Sequence, residues 1–129
     1  MPVFSYSTIN IRLYWNTFVG IPPLRALCSV VKAELLFGAQ RSGRIEANLQ
    51  RLKLFFEPLQ SLPFDDDCAE HYALIRADLQ ARGQLIGGND LLIAAIARSH
   101  NITLVTYNTG EFSRVVGLRL EDWEIESAH

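Results

Sequence analysis

From Ser29 onward the apolar positions recur with a helical period. Ser29 reads as an N-cap ahead of Val30, Val31, Lys32, Ala33, Glu34, Leu35, Leu36 and Phe37, whose apolar positions cover more than half a helix circumference. The pattern therefore predicts a largely buried helix over Ser29 to Gln40. Beyond Gly43, the residues Ile45, Leu49, Leu52 and Phe56 recur at i, i+4, i+7 and i+11, which makes Arg44 to Phe56 a second, amphipathic helix. Pro58 and Pro63 bracket a short extended piece, and Asp65-Asp66-Asp67 places acidic residues at the positive end of a helix from about Cys68 to Arg82, closed by Gly83. Gly87-Gly88-Asn89-Asp90 opens another helix, and its body, Leu91 to Ala97, is apolar on every face, as suits a helix packed between layers. Ile102 to Val105 is short, mostly apolar and rich in β-branched residues, which fits a buried parallel strand. Ahead of Ser29 the pattern is weak. Val3 to Tyr6 fits a short strand, and Ile11 to Phe18 fits one or two amphipathic turns ended by Pro22-Pro23. Helices alternating with such strands indicate an α/β fold, a three-layer sandwich around a central, mainly parallel sheet.

Composition sharpens this picture in three ways. A chain of 129 residues with 49% hydrophobic and 20% charged residues suits one globular domain over residues 1–129. The net charge of −2 supplies no global attraction for polyanions, so contact with nucleic acid has to use a local basic patch. Cys28 and Cys68 lack CxxC spacing and read as two buried, reduced thiols. No secretory signal stands at the start, and no segment approaches the ~20 apolar residues of a membrane helix, so a cytoplasmic protein without membrane contact is expected.

Candidate chemistry lies in three separate segments. Glu34 sits inside an apolar helix, where a carboxylate is costly unless it is paired or bound to a metal. It reads equally well as a solvated edge residue beside Lys32. Asp90 stands in the first turn of its helix beside Gly87-Gly88, and taken alone it is better explained as an acid satisfying helix amides. Asn108 and Glu111 follow a strand, at the end of a parallel sheet where ligands bind, though Tyr107 to Gly110 also reads as a simple polar turn. Asp65 to Asp67 read as capping residues rather than ligands. His71 and His100 lack ligand spacing, and Trp15 and Trp123 read as packing residues. No Asp or Glu occurs before Glu34.

Three ordered motifs change the balance. Residues 29–39 (Ser-Val-Val-Lys-Ala-Glu-Leu-Leu-Phe-Gly-Ala), 87–95 (Gly-Gly-Asn-Asp-Leu-Leu-Ile-Ala-Ala) and 104–112 (Leu-Val-Thr-Tyr-Asn-Thr-Gly-Glu-Phe) closely resemble the PIN-domain ribonuclease toxins of VapBC toxin–antitoxin systems. Residues 117–123 resemble that family's last strand, so the likeness runs roughly from residue 22 to residue 124. The resemblance implies a PIN-like fold and an endoribonuclease dependent on Mg²⁺ or Mn²⁺. It also implies an RNA substrate, a cognate VapB-like antitoxin that holds the enzyme inactive, and a homodimer. By the same resemblance Glu34, Asp90 and Glu111 are catalytic, and these three with Asn108 are metal ligands.

One element of the family pattern is missing. Its opening Leu-Asp-Thr-Asn strand contributes an acid, whereas here Tyr6 to Leu13 can be laid on that motif only with Ser7 at the acidic place. A frameshift, a wrongly chosen start or real decay would each produce such a leader over residues 1–21. Carboxylates ~5 Å apart repel by ~3 kcal/mol per pair at an effective dielectric near 20, so a cation holds such a cluster together. One fewer negative ligand then implies an impaired enzyme. The rival expectation is a catalytically inactive PIN remnant that keeps antitoxin binding or dimerisation.

Overall fold

The computed structural model describes residues 18–21, 24–106 and 108–122. The expectations for Val3 to Tyr6, Ser7, Trp15, Pro22-Pro23, Tyr107 and Trp123 lie outside these residues, as does all of Ile11 to Phe18 except Phe18 itself. The described elements run in the order β1 (Phe18–Ile21), β2 (Leu24–Cys28), α1 (Ser29–Gln40), α2 (Ile45–Phe56), β3 (Gln60–Leu62), α3 (Asp66–Ala81), α4 (Gly88–Ser99), β4 (Leu104–Thr106), α5 (Thr109–Phe112) and β5 (Leu120–Asp122). The strands form one sheet in the order β3-β2-β1-β4-β5.

Strand β2 pairs parallel with β3, and β4 pairs parallel with β5, while β1 runs antiparallel to both of its neighbours. Strands β2, β3, β4 and β5 therefore share one direction, and the sheet is mainly parallel with one reversed strand at its centre. The crossover from β2 to β3 steps toward one edge and that from β3 to β4 steps back past β1. Right-handed crossovers then put the α1–α2 and α3–α4 pairs on opposite faces, which gives the three layers.

Local sequence accounts for most element ends. Helix α1 spans the expected Ser29–Gln40, and only its N-cap differs from the expected one. Cys28 takes the N-cap position without a side-chain cap, and Ser29 is the first helical residue. Between α1 and α2 a buried polar pair fixes the turn: the Ser42 hydroxyl donates to the Ala39 carbonyl at 2.7 Å, and Asn48 Nδ2 donates to Ser42 Oγ at 2.8 Å. Helix α3 is capped as expected, with Asp65 Oδ1 accepting the Cys68 N–H at 3.0 Å. It ends before Gly83, whose φ of +66° is a conformation that costs glycine little.

The core is built around α4. Leu91, Ile93, Ala94, Ala95, Ile96 and Ala97 are all buried, joined by Leu27, Leu35, Leu52, Ile75, Leu79 and Leu104. Both cysteines are buried free thiols, and burial pushes the Cys28 thiol up to about 11. On α1 and α2 the apolar surface divides. Leu52 is fully buried and Phe55 and Phe56 are half-buried, whereas Leu36, Phe37 and Leu54 are 41%, 60% and 62% exposed.

This arrangement decides what a truncation costs. Ile96→Ala removes a fully buried side chain from the central helix and should lower unfolding free energy by about 2–5 kcal/mol. Leu54→Ala, on an exposed position, should change it by no more than about 0.5 kcal/mol. Urea denaturation of the two variants checks both, and equal losses would show that α4 is not the core helix.

Candidate functional site

Because β2 and β4 run the same way, α1 and the Asn108 segment leave the sheet from the same edge. Glu34 lies in the second turn of α1 and Asp90 in the first turn of α4. Asn108 takes the N-cap position of α5, which carries Glu111. Thr106, buried at the end of β4, accepts the Asn108 N–H on its hydroxyl at 3.0 Å and sets the direction of that turn. No side-chain cap is made by Asn108. Its amide instead donates to both neighbouring acids, to Asp90 Oδ2 at 3.2 Å and to Glu111 Oε2 at 2.6 Å.

The electrostatics of this trio follow from its burial. Desolvation, a hydrogen bond to Glu111 and the negative charges of Glu111 and Glu34 push Asp90 from its ordinary 3.8 up to about 7, against the opposing effect of the Asn108 amide. Glu111 moves the other way. Hydrogen bonds from Asn108 and Asp90 hold it below its ordinary value, with smaller help from the Gly87 backbone N–H and the charge of Arg114. Two facing carboxylates that share one proton are what close like charges produce when no cation separates them. Among the described residues, no Lys or Arg forms an ion pair with Glu34, Asp90 or Glu111.

Glu34 occupies the margin of the cluster. Its carboxylate accepts a hydrogen bond from the Asn89 amide, and its influence on Asp90 is through charge alone. Lys32 does not neutralise it, because the Lys32 ammonium lies over the Phe56 ring, 5.0 Å from the centroid. A cleft of about 490 Å³ opens beside it, lined by Ser29, Val30, Ala33, Glu34, Phe37, Asn89 and Leu92. Of the residues expected from sequence, Asp90, Asn108 and Glu111 come into direct contact and Glu34 stands next to them. Sequence reasoning passed over Asn89, the residue that orients Glu34. Its only signal was its place beside Asp90.

The donors here are carboxylate and amide oxygens, a set that suits Mg²⁺ or Mn²⁺ and offers nothing to a softer ion. The strand at the centre of the sheet, Phe18–Ile21, carries no acidic residue.

Comparison with known proteins places the geometry in a family. A model described as the PIN domain matches residues 18–118. Ribonuclease VapC2 of Rickettsia felis is 41% identical over 99 residues, covering 77% of this chain and 74% of that protein. A tRNA(fMet)-specific endonuclease VapC of Shigella flexneri is 42% identical over 97 residues, covering 75% of this chain and 74% of that protein. The crystal structure of VapBC2 from Rickettsia felis, bound to a DNA fragment from their promoter, superposes with a TM-score of 0.73 at 42% identity, covering 76% of this chain and 74% of that one. The matched segment includes the α1, α4 and α5 residues that build the acidic cluster, and the chain belongs to the VapC-type PIN-domain family.

Proposed function

We propose that this chain is the ribonuclease component of a VapBC-type toxin–antitoxin pair, a single PIN domain that hydrolyses RNA phosphodiester bonds with Mg²⁺ or Mn²⁺. The observation that carries this reading is the contact of Asp90, Asn108 and Glu111 beside Glu34, where burial and the neighbouring carboxylates push Asp90 up to about 7 and, among the described residues, no Lys or Arg forms an ion pair with these acids. Leaving charge in that state destabilises the metal-free fold, and the arrangement makes physical sense as a seat for a divalent ion.

Asp90, Glu111 and Asn108 would hold the ion, with Glu34 as a further oxygen donor at the margin. When bound, the ion would supply neutralisation of the phosphate charge and a more acidic water. The chain's own residues do the positioning. Asn108 fixes the mutual orientation of the Asp90 and Glu111 carboxylates. Asn89 fixes that of Glu34. Arg114 helps to keep Glu111 ionised.

The central strand favours a qualified version of this reading. It contributes no carboxylate, and the sequence holds none before Glu34, so the leader at residues 1–21 is atypical and activity is low. The same observation supports a second reading, a PIN remnant that retains binding. A VapB-like antitoxin and a second copy of the chain are the partners of either version. Exposed Leu36, Phe37 and Leu54 on α1 and α2 offer apolar contact surface beside a groove of about 630 Å³ lined by Lys32, Leu36, Leu49, Lys53, Phe56 and Glu57.

Two outcomes follow. Cleavage of RNA by the chain should be slow, dependent on Mg²⁺ or Mn²⁺ and abolished in Asp90→Asn. Replacing residues 1–21 with an intact Leu-Asp-Thr-Asn strand and helix should raise the rate by at least ~10²-fold, since losing one metal-binding group costs several kcal/mol of transition-state stabilisation. A gel assay with nuclease-free protein decides between the readings. Robust cleavage by the unaltered chain would show that the missing acid matters little, and silence after leader replacement would favour the binding remnant.

The second outcome concerns pH. Asp90 binds its proton more tightly folded than unfolded, so the metal-free protein should lose stability as pH rises from the ordinary value of 3.8 through about 7. Glu111, shifted down, opposes this only below its ordinary range. Denaturant midpoints between about pH 5 and pH 8 should therefore fall with pH, more weakly in saturating Mg²⁺ and in Asp90→Asn. A flat wild-type profile would contradict the charge assignment.

A further inference from the structure

Asp65, Cys68 and His100 are 32 residues apart at most in any adjacent pair along the chain, yet a carboxylate oxygen, the thiol sulfur and an imidazole nitrogen all lie within 4.8 Å of one another. The fold brings them together because α3 and α4 pack closely, with the start of one against the end of the other. Asp65 caps α3, Cys68 sits in its first turn, and His100 is the residue at which α4 ends. From these positions we infer that the chain carries a second metal site, a Zn²⁺ site with three protein ligands, Asp65, Cys68 and His100, and water in the fourth position.

The donor set argues for the ion. A thiolate, an imidazole and a carboxylate together match the preferences of Zn²⁺ and are a poor fit for Mg²⁺, which takes oxygen. The backbone holds two of the ligands in place already. Asp65 Oδ1 is anchored by the Cys68 N–H at 3.0 Å, which leaves its second oxygen for an ion. Burial raises the Cys68 thiol above its ordinary value in the metal-free chain, but the residue is in the first turn of a helix, where the amide dipoles favour a thiolate, and the Ser99 side chain lies within hydrogen-bonding reach of the sulfur. His100 is exposed and makes no side-chain hydrogen bond among the described residues, so its ring can turn toward the other two.

The competing state is a neutral thiol. Cys68 is buried, and its S–H donates weakly to the Pro63 carbonyl at 3.8 Å. An entering ion would release that proton to solvent and replace one long contact with a Zn–S bond of ~2.3 Å. The helix capping by Asp65 is retained, because it uses the other carboxylate oxygen.

This site is separate from the acidic cluster. Asp90 and His100 are ten residues apart along α4 and its end, ~15 Å by the rise of a helix. Occupancy would clip the first turn of α3 to the last turn of α4, so it acts on stability rather than on the phosphodiester chemistry, and it does not depend on the proposed nuclease activity.

The test uses the full-length, reduced chain titrated with Co²⁺, which reports thiolate ligation by near-ultraviolet charge-transfer absorption and is displaced by Zn²⁺. The wild type should develop the band at one equivalent, and Asp90→Asn should develop it equally. Cys68→Ser should abolish it. His100→Ala, at an exposed position that does not threaten folding, should weaken Co²⁺ affinity by at least ~10-fold, because loss of even an outer-shell partner commonly costs that much. Zn²⁺ should raise the wild-type melting temperature and leave that of His100→Ala little changed. No band in the wild type, a band surviving Cys68→Ser, or unaltered affinity in His100→Ala would each overturn the site. Should Cys68→Ser prove unfolded, the His100→Ala titration decides alone.

Discussion

The Asn108 amide, shared between the Asp90 and Glu111 carboxylates, is the contact on which the acidic edge of this molecule depends. One amide nitrogen cannot neutralise two acids. It can only orient them and soften their repulsion, while burial and the repulsion that remains push Asp90 up to about 7. A structure that existed only for stability would gain by replacing such a pair with neutral groups, since like charges in a half-buried place weaken the fold. The rest of the architecture delivers these groups to one edge: β4 ends in Thr106, which sets the Asn108 turn, while α4 starts at Gly88 and carries Asp90 in its first turn.

The middle of the sheet holds its one reversed strand. The strand Phe18–Ile21 fills the central slot, bonded to β2 on one side and β4 on the other, but in the reverse direction to both. Filling that slot satisfies backbone hydrogen bonds that an open gap would leave unpaired. Backbone pairing is indifferent to side chains, so a Phe-Val-Gly-Ile segment can close the sheet without bringing an acid to the site. Sheet closure at this strand is therefore set by its backbone and is independent of the acids gathered at the sheet's edge.

Periodicity alone made α1, α2 and α4 legible, because each repeats apolar residues over three turns or more. The strands were harder. The sequence pattern points to Ile102 to Val105, two residues ahead of the start of Leu104–Thr106, since Ile102 and Thr103 carry the same β-branched signal as the strand itself. Strands β1 and β2 leave no strand signal in the sequence. Phe18–Ile21 and Leu24–Cys28 are short runs without alternation, and Pro22-Pro23 between them reads as a terminator. At the site, Glu34, Asp90, Asn108 and Glu111 were visible through motifs, but the Asn89 to Glu34 hydrogen bond spans 55 residues and leaves no local trace. The grouping of Asp65, Cys68 and His100 is of the same kind. Each has an ordinary explanation where it stands in the sequence, and only the packing of α3 on α4 joins them.

The proposed metal seat makes the charge state of Asp90 depend on a divalent ion. Carbon-13 NMR titration of the Asp90 carboxyl, with and without Mg²⁺, tests it most directly. Asp90 should titrate near 7 in the metal-free protein, and saturating Mg²⁺ should drive its titration down to or below the ordinary 3.8. An Asp90 that titrates at its ordinary value without metal, or one indifferent to Mg²⁺, would contradict it.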